Sequence, residues 1–237
     1  MFQFKEKIRE AKNMGEVEER QVAWLWYPYI PFGRVTVLHG APGSGKSMIA
    51  ARLMAACTNE KPLGECKALP AGNALYLTAD DDLSDLLRPR LLEAGADLSR
   101  VYAINDMLPF ALGDDSIEQM VENFGIRLVV VDPIQEYLQE EVYGEDPELV
   151  YPILCKLEAL AKKSGCAVVL TAYSDGPGGV NSKRWREDFA EKVGSVLCVE
   201  RDRRDNGVRR LLHEKCLFAP EEREKRFSLD GPLWDLH

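Results

Sequence analysis

Residues 40–47 read Gly40-Ala41-Pro42-Gly43-Ser44-Gly45-Lys46-Ser47, and this octapeptide sets the expectation for the whole chain. It fits the pattern G-x-x-x-x-G-K-[ST], in which a glycine-rich turn leaves several backbone N–H groups pointing inward toward phosphate oxygens. The lysine of this pattern reaches the β- and γ-phosphates, and the hydroxyl that follows it ligates Mg²⁺. The octapeptide, called the P-loop below, therefore predicts that the chain binds a nucleoside triphosphate.

The segments on either side of the P-loop support this prediction. Residues 34–39 read as a strand that enters the loop, and residues 48–56 are rich in good helix formers. The positive end of that helix dipole would face the bound phosphates. We assign Lys46 a catalytic role on the phosphates and Ser47 a role as ligand to Mg²⁺. The residues predicted to bind ATP are Gly40, Ala41, Pro42, Gly43, Ser44, Gly45, Lys46, Ser47 and Met48.

Length and hydropathy indicate an ordinary globular protein. The 237 residues suffice for one large α/β domain, and 46% of them are hydrophobic, which argues against extensive disorder. The sequence contains no run of eighteen apolar residues, and residues 1–10 lack the apolar core of a secretion signal. We therefore expect no membrane partner and a cytoplasmic location.

Cysteine spacing and net charge each argue against particular classes of protein. The six cysteines are scattered without a C-x-x-C pair, which argues against a zinc site or a disulfide framework. The formal net charge of −9 argues against a surface that coats nucleic acid in general. It leaves room for a local basic loop.

The N-terminal region divides into two segments. Residues 1–22 are predicted to form an amphipathic helix and an acidic connector, which would pack on the same domain or on a neighbouring subunit. Residues 23–237 are predicted to form the ATPase domain. At its start, residues 22–33 form a dense aromatic run with two prolines, which excludes a regular helix. Two roles are open for this run: packing in the core and lining the nucleotide base.

Acidic residues follow two predicted strands. Residues 74–78 end before Asp80, Asp81 and Asp82, at the strand end where open α/β sheets place their ligands. These carboxylates would orient or deprotonate a water, or Asp81 or Asp82 would cap a helix over residues 83–94. The buried strand predicted over residues 127–132 ends in Asp132, which is the expected carboxylate on the Mg²⁺ side.

The remaining elements predict the fold class. Strands over residues 101–104 and 166–171, with helices over 114–124 and 149–164, continue an alternating α/β pattern. We expect a mostly parallel central sheet flanked by helices. In the tail, residues 195–200 and 208–213 flank an Asn206-Gly207 turn signal, which predicts a C-terminal antiparallel hairpin. Residues 226–229 would add an edge strand.

The longest irregular stretch, residues 173–186, ends in a basic segment around a tryptophan. This composition suits single-stranded DNA, because cations attract phosphates and an indole ring stacks on bases. A solvated surface loop is an equal alternative. The nucleic-acid candidates are Lys183, Arg184, Trp185 and Arg186.

The order of these blocks resembles the RecA-like ATPases of the RepA plasmid-helicase type, which are related to DnaB and RadA. The resemblance covers roughly residues 22–230 and rests on these blocks: 24–33, the P-loop, 75–82, 88–97 and 130–133. It implies a RecA-like P-loop fold, with ATP and Mg²⁺ as cofactors. It also implies a ring-forming ATPase in DNA replication, repair or recombination. The predicted partners are therefore ATP or ADP, single-stranded DNA and further copies of the chain, a hexamer being one option.

The resemblance also implies roles for individual residues. Asp132 would hold Mg²⁺ through water, and Asp80 would take the place of the catalytic glutamate. The loop after Leu170 would face a DNA channel. Lys215, following the second hairpin strand, would reach into the neighbouring subunit's active site as a catalytic residue.

Three departures from the family pattern predict slow hydrolysis. The usual glutamate is the shorter Asp80, and Tyr173-Ser174-Asp175 stands where a histidine and Asn-Lys are typical. The arginine that many relatives carry two residues after the lysine is missing after Lys215. An arginine finger contributes 10³–10⁵ in rate in other NTPases. The candidates to replace it are Arg201, Arg209 and Arg210.

Two main functions follow from these observations. The first is a RecA-like ATPase that acts on DNA, with slow hydrolysis. The second is an ATP-responsive switch or assembly factor with little turnover. A small-molecule phosphotransferase is a third reading, which the aromatic N-terminal block and the β-rich tail fit poorly.

Overall fold

The computed structural model of the protein describes residues 13–19, 21–63, 66–78, 82–105, 115–137, 150–174, 192–220 and 224–228. Its strands are β1 (Trp24–Trp26), β2 (Ile30–Pro31), β3 (Val35–Gly40), β4 (Asn73–Thr78), β5 (Val101–Ile104), β6 (Ile126–Asp132), β7 (Ala167–Tyr173), β8 (Ser195–Arg201), β9 (Val208–Cys216) and β10 (Lys225–Ser228). Its α-helices are α1 (Lys46–Thr58), α2 (Arg88–Ala94), α3 (Ser116–Phe124) and α4 (Val150–Ser164).

Eight of these strands form one sheet in the order β10-β9-β8-β3-β7-β6-β4-β5. The strands from β8 to β5 in this order run parallel, whereas β9 and β10 join antiparallel. The predicted fold class is confirmed: an α/β RecA-like P-loop fold with a mostly parallel central sheet and antiparallel strands at its C-terminal end.

Helices cover both faces of the parallel strands, which explains their uninterrupted apolar sequences. On one face, Leu53 and Met54 of α1 pack in a cluster with Val130 of β6. On the other face, Val121 of α3 and Leu157 of α4 pack in a second cluster. Both faces are therefore shielded from solvent. Within the described residues, none of the helices is long and apolar enough to cross a bilayer.

The C-terminal strands form the predicted hairpin. Strands β8 and β9 pair from Ser195 with Cys216 to Arg201 with Arg209. The Val208 amide donates to the Asp205 carbonyl across the turn, so Asn206 and Gly207 are its central residues. Strand β10 pairs with β9 as the predicted edge strand.

The aromatic run before β3 packs in the core. Trp26 and Tyr29 are 2% and 1% exposed, and their ring centres lie 4.5 Å apart. The Tyr29 ring also lies 5.1 Å from the ring of His213 on β9. Of the two roles predicted for this run, these two rings therefore take core packing. The helix expected over residues 1–22 falls largely outside the described residues, and the division at residue 22 stays a prediction.

One predicted helix differs in the structure. Residues 83–94 were expected to form one helix, whereas Leu83–Leu87 form a π-helical turn that continues into α2. The Asp82 carboxylate accepts hydrogen bonds from the amides of Ser84 and Asp85, so the predicted cap at Asp82 is present. These bonds lower the pKa of Asp82, because they stabilise its charged form.

Candidate nucleotide-binding site

The P-loop connects the end of β3 at Gly40 to the start of α1 at Lys46. Gly45, immediately before the helix, has a φ of 106°, a backbone angle that residues other than glycine rarely adopt. At Gly40 an added Cβ would lie 2.4 Å from the carbonyl oxygen of Val199 and 2.6 Å from the Ser44 hydroxyl. Glycine is therefore required at both positions for the loop to keep this shape.

The Lys46 amine lies inside the loop. It donates hydrogen bonds to the carbonyls of Gly40 and Ala41, at 2.9 Å and 3.1 Å. It also lies 5.2 Å from the centre of the Tyr173 ring. Burial lowers the pKa of Lys46, whereas the Asp132 carboxylate acts to raise it. Phosphate oxygens would favour the charged amine for the same reason as the carboxylate does.

Asp132 is held in place at the end of β6. Its carboxylate is buried, and the hydroxyl of Tyr76 donates to one oxygen while that of Thr171 donates to the other. Tyr76 belongs to β4 and Thr171 to β7, the two strands beside β6. The carboxyl ends of parallel strands meet at one edge, where this fold class binds ligands. The carboxylate is therefore oriented before any ligand arrives.

The sequence predicted Asp132 but missed the two hydroxyls that hold it. A usable signal was present, because Tyr76 and Thr171 each lie two residues before the end of a buried strand. Their position beside Asp132 depends on the strand order, which the sequence did not reveal.

A pocket of about 360 Å³ opens beside the P-loop, within the usual range for small-molecule sites. Its walls come from the P-loop, the first turn of α1, helix α2 and the ends of β6 and β7. The lining residues are Pro42, Gly43, Gly45, Lys46, Ser47, Met48, Arg90, Asp132, Pro133 and Tyr173.

Arg90 brings a further cation to this pocket. The family resemblance includes residues 88–97, but no role was predicted for Arg90. The half-buried arginine lies on α2, which packs against α1. It reaches the pocket through the packing of these two helices, a contact that local sequence does not reveal.

The three arginines considered as replacements for the missing finger lie in different places. The Arg201 guanidinium donates to the P-loop carbonyl of Gly43 at 3.2 Å. Arg209 donates to the carbonyls of Asn206 and Val208 in its own turn, and Arg210 pairs with glutamates beside its strand. Among these three, Arg201 contacts the P-loop, and it does so within its own chain.

The other predicted residues have mixed outcomes. Lys215 is half-buried within β9 and pairs with Val196, so it does not follow the second hairpin strand as expected. The strand is longer than predicted because pairing with β8 continues to Cys216. Asp80 lies outside the described residues, as does the whole basic segment 183–186.

The residues present fit Mg-ATP. Lys46, Ser47 and Asp132 all line the pocket, so the groups that would meet the phosphates and the metal lie together. Ser47 and Asp132 supply the oxygen ligands that Mg²⁺ prefers, and Lys46 supplies the cation for phosphate.

The sequence was also compared with models of known families. A model described as an AAA domain matches residues 6–175, which is more than half of the chain. The match includes the P-loop, Asp132 and every strand from β1 to β7. Membership implies nucleotide binding. The chain therefore belongs to the AAA-domain family of P-loop ATPases.

Proposed function

We propose that the protein binds Mg-ATP in the pocket beside the P-loop and hydrolyses it slowly while acting on DNA. The observation that carries the proposal is the convergence of Lys46 and Asp132 on one pocket whose other wall is the P-loop. The amides of residues 40–47 would hold the phosphates, with Lys46 on the β- and γ-oxygens. Ser47 would ligate Mg²⁺ directly and Asp132 through water. Mg²⁺, when bound, would neutralise charge on the phosphate oxygens.

Slow hydrolysis is expected from the groups that line the pocket and from those that the family resemblance assigns to it. Tyr173 lines the pocket where the related ATPases have a histidine. A phenol is neutral at physiological pH, so it offers a hydrogen bond but no charge. Asp80 would activate the water with a carboxylate one methylene shorter than glutamate. Arg90 and Arg201 supply cations in cis, and Lys215 would act from a neighbouring subunit.

The decisive test is ATP binding by Lys46→Ala. We expect ATP affinity to fall roughly a hundredfold or more, since each hydrogen bond to a charged group contributes about 1.5–3 kcal/mol. Isothermal titration calorimetry with Mg-ATP measures the change. The matched control is Lys67→Ala, which removes an exposed lysine outside the pocket. Undiminished affinity in Lys46→Ala would refute the proposed site.

The action on DNA rests on the basic segment 183–186 and the family resemblance. Charge reversal of Lys183, Arg184 and Arg186 should abolish binding to single-stranded DNA. The DNA phosphates would lose the cations that neutralise them and would meet negative charges instead. The measurement is the binding constant for a fluorescent oligonucleotide at several salt concentrations. An unchanged dependence on salt would remove this segment from the proposal.

Ring formation predicts that light scattering gives a larger mass with Mg-ATP than without it. A strict monomer in both conditions would contradict a role for Lys215.

A second candidate is an ATP-responsive switch with little turnover. It is favoured by Tyr173, whose ring lies over the Lys46 amine where the related ATPases have a histidine, because this neutral ring supplies no charge that would assist hydrolysis. Single-turnover hydrolysis assays with and without DNA distinguish the two functions. Brisk hydrolysis that DNA stimulates excludes the switch, and binding without turnover in both conditions supports it.

A further inference from the structure

Four neighbouring strands place polar side chains in one row beside the P-loop. Strands β9, β8, β3 and β7 are adjacent in this order, and they contribute Glu214, Cys198, His39 and, just after β7, Ser174. His39 and Cys198 are direct partners in the parallel pairing of β3 with β8. The Ser174 amide donates to the Gly40 carbonyl, which brings Ser174 next to His39.

This row lies on the sheet face opposite α1. Side chains alternate between the two faces of a strand. Leu38 of β3 and Leu197 of β8 belong to the cluster that packs on α1, while Val37 and Val196 belong to the opposite cluster. His39 and Cys198 therefore share the second face, and the P-loop pocket lies on the first. The row is a separate site from the one described above.

Three of these side chains form a compact set of donor atoms. The imidazole of His39, the thiol of Cys198 and the carboxylate of Glu214 place their ligand atoms within 4.8 Å of one another. His39 Nε2 lies 2.8 Å from Glu214 Oε2. The other ring nitrogen, Nδ1, lies 2.9 Å from the Ser174 hydroxyl. A histidine that binds a metal characteristically has its second nitrogen held by such a partner, which fixes the orientation of the ring.

We propose that His39, Cys198 and Glu214 form a binding site for one zinc-type transition-metal ion. The ligands would be His39 Nε2, Cys198 Sγ and one Glu214 oxygen, with water in the fourth position. Imidazole, thiolate and carboxylate together are a donor set that zinc takes in tetrahedral sites, whereas the thiolate disfavours Mg²⁺ and Ca²⁺. The Cys198 thiol loses its proton on binding, so one thiolate and one carboxylate neutralise the two charges of the ion.

Burial and access both suit such an ion. His39 and Cys198 are 2% and 6% exposed, so the metal would be shielded on two sides. The Glu214 side chain is 45% exposed and supplies a path from solvent. The scattered cysteines, without a C-x-x-C pair, argued against a zinc site because His39 and Cys198 lie far apart in the sequence. The sheet brings them together.

Cobalt absorption tests the proposal on the full chain. Co²⁺ alone is titrated into reduced, metal-free protein. We expect one ion to produce the thiolate-to-cobalt charge-transfer band and the visible absorption of a tetrahedral site. Oxygen ligands at Ser47 and Asp132 produce no such band, so cobalt bound at the P-loop site would not be mistaken for cobalt bound by Cys198. Zn²⁺ should displace the cobalt and remove the colour.

Variants assign the ligands. Cys198→Ser should lose the charge-transfer band, while the control Cys155→Ser, which changes an exposed cysteine on α4, should keep it. The Glu214 side chain is half-exposed, so Glu214→Gln should fold normally. We expect its cobalt affinity to fall at least tenfold. Ser174→Ala should keep the band but bind cobalt roughly tenfold more weakly, because loss of a group that orients a metal ligand lowers affinity by about this factor.

A wild-type protein without the band, or a band that persists in Cys198→Ser, would show that the row is only a hydrogen-bond network. If Cys198→Ser does not fold, an unchanged affinity in Glu214→Gln overturns the proposal.

Discussion

The two halves of the central sheet are stabilised in different ways. In the parallel half, from β3 to β5, strands such as β6 are buried on both faces, and the polar groups around Asp132 meet at the carboxyl ends of the strands. The antiparallel half comprises the β8–β9 hairpin and β10. Here strand β9 alternates between buried and more exposed residues, and charged pairs join the strands. Arg210 pairs with Glu200 and Glu224, and Arg226 pairs with Asp202. The family model covers the first half and ends before the second.

This difference indicates where each half contributes to function. Strand ends in the parallel half hold Asp132 and the P-loop rigidly, because buried polar groups there have few alternative partners. The ion pairs of Arg210 are partly exposed to solvent and contribute little stability, whereas Arg226 pairs with the buried Asp202. That half therefore tolerates change at its surface pairs, but not at Asp202 or where Arg201 and the row around Cys198 approach the P-loop.

The largest effect is expected at the P-loop. Gly40→Ala places a methyl group against the Val199 carbonyl, which β8 holds in position, so the loop must shift. We expect ATP affinity to fall at least tenfold and the free energy of unfolding to fall by about 1–3 kcal/mol. Calorimetry and urea unfolding measure the two changes. Gly15→Ala is the control, since its added methyl would meet only ordinary contacts. Equal results for both variants would show that the close approach of β8 to the loop has no consequence.

The next effect is expected at the carboxylate of β6 and concerns stability without the loss of ATP affinity expected at Gly40. Tyr76→Phe removes one of the two hydroxyls that donate to Asp132 and leaves a buried carboxylate oxygen without that donor. We expect the free energy of unfolding to fall by about 1–3 kcal/mol, measured by urea unfolding. The control is Tyr102→Phe, which keeps the ring stacked on Phe124 and changes a hydroxyl on the edge strand β5. A loss no larger than that of the control would mean that Asp132 does not depend on Tyr76.

The smallest effect is expected in the antiparallel half and depends on pH. The Arg204 amide, and after it the Arg226 guanidinium, hold the pKa of Asp202 below its ordinary value. The resulting stability is present above the unfolded pKa of about 3.9 and disappears as the pH falls through the lower folded value. Asp202→Asn should therefore be less stable than wild type at neutral pH and match it in strong acid. Urea midpoints across this range measure the difference, and a constant difference at every pH would contradict the assignment.

Much of the site followed from local sequence. The P-loop, the helix after it and Asp132 were predicted because a short pattern or a strand end specifies each of them. The hairpin was predicted because Asn206-Gly207 is a local turn signal. In contrast, Tyr76 and Thr171 were missed because their role depends on which strands lie beside β6. Arg90 was missed because it reaches the pocket through the packing of α2 on α1.

The sequence alone determined that this chain has a phosphate-binding loop in an α/β fold, since backbone geometry and hydrophobic periodicity are encoded within a few residues. Only the tertiary structure decided which hydroxyls hold Asp132, and that His39, Cys198 and Glu214 meet on one face. The physical reason is that strand order and register bring together residues far apart in the chain. Those pairings are selected by the burial of the whole sheet, which no local segment specifies.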